Sequence, residues 1–142
     1  MADDIVLNKA SVIERCLQRV KDEYEGDPAN LRDDITRQDA IILNLQRACQ
    51  AAIDLAMHLV REHGLGLPQE SREAFALLED AGHLDAELSD RLQRMVGFRN
   101  VAVHDYQDLN LDIVQSIVEE HLSDFTDFTE QVVKTDGFRT SD

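Results

Sequence analysis

Arg99 stands in the stripe Leu88, Leu92, Met95, Arg99, Val103, where leucine or valine would continue a helical face. A guanidinium is almost never fully buried without a partner. Position 99 therefore opens onto a cleft, meets a carboxylate or lies at a subunit interface. The plain alternative is a surface arginine whose stem covers apolar atoms. His104 and Tyr106 follow at once, where the helix should end before Gln107 and Asp108. An imidazole at an exposed helix end changes protonation near neutral pH and can serve as general acid or base. Against this, a lone histidine is more often structural, and a tyrosine is more often a packed ring than a reactive phenol.

The spacing sets a geometric condition. At about 100° per residue, the five steps from Arg99 to His104 leave the two side chains roughly 140° apart around an ideal helix. They converge only if the helix end is distorted, or if two copies each supply part of a composite site, as a symmetric dimer allows. Asn100 lies four residues before His104, shares its face and is placed to orient it.

The elements that carry these residues follow from periodicity. Val6, Ala10, Ile13, Leu17, Val20 and Tyr24 mark one buried helix face, and Asp27-Pro28 breaks it. Ile42, Leu45, Cys49, Ala52, Ala56 and Leu59 mark a second helix. We expect it to open at a capping box from Thr36 to Asp39 and to close at Gly64 and Gly66. Ala48, Ala51, Ala52 and Ala56 let a neighbour approach closely, which places this helix centrally. Pro68 suits the first turn of a short third helix through Phe75, Leu77 and Leu78, ended by Gly82. Asp85 is the N-cap expected for the fourth helix, the one bearing Arg99. A fifth runs through Leu111, Val114, Val118, Leu122, Phe125 and Val132. No stretch alternates with period two, and the reading is an all-α, antiparallel bundle of about five helices. Residues 1–135 form one domain, and residues 136–142 are expected to be a loose tail.

Composition narrows the function classes. The 142 residues suit a single domain. Fourteen basic against 29 acidic side chains give a net charge of −15, which repels nucleic acid at long range. Arg91, Arg94 and Arg99 are the densest basic group in one predicted helix, so any RNA binding rests on them. The charged first twenty residues exclude a signal-peptide core, and no apolar run is long enough for a bilayer, so a soluble, cytoplasmic protein is expected. Cys16 and Cys49 lie on or beside apolar stripes without metal-ligand spacing and read as buried reduced thiols. A metal-carboxylate bundle would want Glu-x-x-His pairs on facing helices, and none of the five histidines has Glu three residues before it.

Arg99-x-x-x-x-His104-x-Tyr106 resembles the signature of HEPN-domain toxins, and Gly97 through Tyr106 is similar to the HepT group in particular. Asn44 through His58 resembles the long second helix of that family. The resemblance implies an HEPN-like homodimer whose cleft holds both copies of the motif. It implies a metal-independent endoribonuclease with no cofactor, the toxin of a type VII-like toxin-antitoxin pair. Arg99 would then bind the scissile phosphate, and His104 would move a proton as the ribose 2′-hydroxyl attacks. Tyr106 would receive AMP from ATP through the cognate minimal nucleotidyltransferase (MNT) antitoxin. The alternative is a non-catalytic helical module that binds a nucleotidyltransferase or a nucleotide.

Overall fold

The computed structural model describes the backbone of residues 4–141 and the side chains of residues 4–133. Every regular element among them is helical. α1 spans Asp4–Tyr24, α2 Pro28–Arg32, α3 Ile35–Glu62, α4 Ser71–Asp80 and α5 Ala86–His104. A 3-10 turn at Tyr106–Asp108 leads to α6, Leu111–Ser116. That helix passes through a π-helical turn, Ile117–His121, into α7, Leu122–Ser141. The five main elements of the antiparallel bundle are α1, α3, α4, α5 and the continuous α6–α7. The tail expected at residues 136–142 lies outside the residues whose side chains are described.

Side-chain pairs fix the directions. Lys9 near the start of α1 meets Asp54 near the end of α3 at 3.3 Å, while Arg37 at the start of α3 donates to the Glu23 carbonyl at 2.8 Å. Gln131 of α7 reaches Asp85 before α5 at 3.0 Å, while Arg91 reaches Asp124 at 2.9 Å. Both pairs of helices are therefore antiparallel. α3 is central and contacts α1, α2, α4, α5 and α7. Its alanines 48, 51, 52 and 56 are all buried, which is what lets four or more neighbours crowd one helix.

The core is aliphatic around α1 and α3 and aromatic where α4 meets α7. Phe75 and Phe128 pack edge to face with centroids 5.5 Å apart, and both are fully buried with Phe125. Cys16 and Cys49 are free and buried, as expected.

Three helix starts differ from the sequence reading. Asp27-Pro28 does not simply break α1. Asp27 caps α2 by accepting from the Ala29 amide at 2.9 Å, and Pro28 takes the first helical position, where no amide is needed. α3 begins before Thr36, because Asp34 is its cap and accepts from the Arg37 amide at 3.1 Å. Pro68 lies ahead of α4, which begins at Ser71. Asp85 caps α5 as expected, accepting from the Leu88 amide at 2.7 Å.

Candidate active site

α5 delivers Arg99 and His104 from one face-winding segment, and the chain leaves it directly into the turn that carries Tyr106. The helix stays regular to its end: the Asp105 amide still donates to the Val101 carbonyl at 2.8 Å. Arg99 and His104 thus keep the wide angular separation of an ideal helix, and a distorted helix end does not bring them together.

Arg99 is half-buried against α3. Its Nε donates to Gln50 Oε1 at 3.1 Å, and its Nη1 donates to Asn100 Oδ1 at 2.6 Å. Both partners are neutral amides, and among the described residues Arg99 forms no ion pair. Arg91 and Arg94 differ from it. Arg91 is paired with Asp124 at 2.9 Å and Arg94 with Asp90 at 3.1 Å. Of the three arginines on this helix, Arg99 alone keeps its charge uncompensated, because amide oxygens orient a guanidinium without neutralising it.

Gln50 was not foreseen from the sequence. Its Nε2 donates to Asp54 Oδ1 at 2.9 Å, and Asp54 Oδ2 in turn receives Lys9. This fixes the amide so that its oxygen faces Arg99. The relay runs Lys9, Asp54, Gln50, Arg99 across three helices. Gln50 and Asp54 are one helical turn apart on α3, a spacing visible in sequence, but the contact of Gln50 with Arg99 bridges 49 positions.

Asn100 spends its oxygen on Arg99, and no hydrogen bond joins it to His104 among the described residues. His104 is exposed in the last turn of α5 with no side-chain hydrogen bond among those residues. Tyr106 is 41% exposed, and its hydroxyl donates to Asp39 Oδ1 of α3 at 2.5 Å. Partial burial and this carboxylate push the phenol up to about 12. Cys49 lies beneath, its thiol pushed up by complete burial while Arg99 pulls it the other way, so it is inert. Among the described residues no group of His, Cys, Asp and Glu is arranged to hold a metal ion.

Residues 13–132 match the family model described as ribonuclease HepT-like. The chain belongs to that family. It is 49% identical over 130 residues to the mRNA nuclease HepT of Shewanella oneidensis, covering 92% of this chain and 97% of that one. The HepT-like fold recurs in a solved structure of a tri-AMPylated Shewanella oneidensis HEPN toxin in complex with MNT antitoxin. There the TM-score is 0.87 at 49% identity, covering 92% of this chain and 97% of the other. A toxin-antitoxin structure with AMP-PNP gives the same TM-score at 48% identity, covering 92% and 98%.

In this HepT-like chain the surface beside the motif is apolar. A groove of about 460 Å³ between α5 and the α6–α7 segment is lined by Met95, Phe98, Val101, Ile113 and Ile117, together with polar residues that include Arg94 and Asp108. Val101, Val103 and Ile113 are exposed at 36%, 47% and 53%. Also lining the groove, buried Asp124 accepts from Arg91 and meets His121 Nδ1 at 3.2 Å. His121 is therefore tied into a buried carboxylate rather than sitting on an open solvated face. No helix among the described residues is long and apolar enough to cross a membrane.

Proposed function

We propose that this chain is a cytoplasmic, metal-independent endoribonuclease toxin, neutralised when a minimal nucleotidyltransferase antitoxin transfers AMP from ATP to Tyr106. The observation that carries it is the uncompensated Arg99 guanidinium, aimed by Gln50 and Asn100 and followed by His104 and Tyr106 in the family's spacing. Arg99 holds the scissile phosphate and stabilises the charge that develops on it. The ribose 2′-oxygen bonds to phosphorus, the bond to the 5′-oxygen breaks, and His104 moves the proton. The identity to an mRNA nuclease supports RNA as substrate.

The active unit is a homodimer. Because α5 stays regular to its end, one chain separates Arg99 from His104 around the helix, and a second copy supplies the missing half across a twofold axis. The exposed Val101, Val103 and Ile113 beside the motif are the apolar surface such a partner covers. AMP on Tyr106 places bulk and negative charge beside the cleft, excluding RNA by sterics and repulsion.

The test is RNA cleavage by wild type, Arg99→Ala and His104→Ala, beside intact-mass measurement after incubation with a family nucleotidyltransferase and ATP. Both variants are expected to lose cleavage while staying folded, and cleavage by wild type is expected to vanish as AMP-sized mass appears on Tyr106. Equal cleavage by all three proteins sinks the enzyme reading. A stable partner complex without any cleavage by wild type returns the chain to the non-catalytic module, the reading that its charge of −15 favours.

A further inference from the structure

Tyr106 is held by a carboxylate of its own chain. Its Oη donates to Asp39 Oδ1 at 2.5 Å, a contact across 67 positions that joins the turn after α5 to the first turns of α3. Asp39 is exposed, and among the described residues it forms no ion pair. Arg37, two positions before Asp39 in α3, lies 2.8 Å from Glu25, and Arg32 of α2 lies 2.6 Å from Asp112. The carboxylate is thus free of a neutralising guanidinium, open to solvent and already aligned on the phenolic proton. A neutral phenol is a weak nucleophile, and its hydroxyl becomes strongly acidic only as oxygen bonds to phosphorus, so a base must already be in place at that moment.

Resting on the reading of Tyr106 as the nucleotide acceptor, we infer that Asp39 is the general base of the transfer, supplied by the acceptor chain rather than by the transferase. The Tyr106 oxygen bonds to the α-phosphorus of a nucleoside triphosphate bound by the transferase. The bond from that phosphorus to the bridging oxygen breaks, and pyrophosphate leaves with the electron pair. The phenolic proton ends on Asp39, from which water removes it. Once esterified, Tyr106 has no proton to donate, and its new phosphodiester charge faces the Asp39 carboxylate, so the modified turn is pushed away from α3.

The test is the rate of AMP addition by intact mass at saturating transferase and ATP, across pH, for wild type, Asp39→Asn, Asp39→Glu and Tyr106→Phe. Thermal midpoints verify that each variant is folded. Tyr106→Phe should take no AMP on the first transfer. Asp39→Asn should slow that transfer by about 10² or more, with a rate that climbs about tenfold per pH unit as hydroxide replaces the missing base. Asp39→Glu should recover part of the loss. Labelling of Asp39→Asn at the wild-type rate, or slowing with the wild-type pH profile, overturns the inference. No labelling of the wild type would instead overturn the reading of Tyr106 itself.

Discussion

Gln50 on α3 points its amide oxygen at Arg99 on α5 because its amide nitrogen is already given to Asp54. A glutamine can present either end, and the choice here is made one helical turn away. Gln50→Leu removes an acceptor for a charged donor, a loss of about 1.5 kcal/mol and so about tenfold in kcat/KM for RNA. Gln50→Glu should do more harm, since it neutralises Arg99 and sets a second carboxylate beside Asp54. Initial cleavage rates with thermal midpoints check both, and a wild-type rate in Gln50→Leu would remove Gln50 from the site.

Asp124 is buried and held by Arg91 on one side and His121 on the other. Arg91→Met leaves that carboxylate short of its main partner. We expect a loss of about 2 kcal/mol, below the cost of breaking a fully buried pair because Arg91 is partly exposed. Asp124→Asn in the Arg91→Met background should recover much of it, which a double-mutant cycle from urea midpoints will show.

Two tyrosines set an alkaline limit. Burial and the Glu119 carboxylate push Tyr24 up to about 12, and partial burial with Asp39 does the same for Tyr106. The folded state favours the neutral phenols, so this stability is fully present below the unfolded value of about 10 and is lost as pH rises through about 12. Phenolate absorbance should therefore lag behind that of free tyrosine between those values, and unfolding should set in across the same window. Tyr106→Phe should leave only the Tyr24 part.

Gly97 sits inside α5, and a Cβ there would meet Arg72 Nη2 of α4 at 2.9 Å. The obstacle is the tip of a flexible side chain. Gly97→Ala should therefore raise stability by about 0.5–1 kcal/mol through helix propensity, with Arg72 swinging aside. A lowered thermal midpoint would mean that Arg72 is fixed in place.

The parts of this fold legible in sequence were those written in local periodicity. The stripe Leu88, Leu92, Met95 and the cap Asp85 define α5, and the small stripe of α3 marks the central helix. α2 was missed because a proline after a capping aspartate ends one helix and begins another with equal ease. Arg99 was legible as an intruder on an apolar face. Gln50 and Asp39 were not, since polar residues on α3 acquire meaning only when antiparallel packing sets them against Arg99 and Tyr106.

The pairing of Arg91 and Arg94 with carboxylates has a kinetic consequence. A chain of net charge −15 whose other α5 arginines are neutralised attracts a phosphate at this helix only at contact range, through Arg99. In dilute buffer the ionic atmosphere is roughly 30 Å thick, and encounter is slowed well before contact; at physiological ionic strength it shrinks to about 8 Å. Association should accelerate as salt is first added and fall only when the contact itself is screened, unlike the steady decline of a basic RNA binder. Such a protein can drift through a cell crowded with polyanions without being soaked up by them.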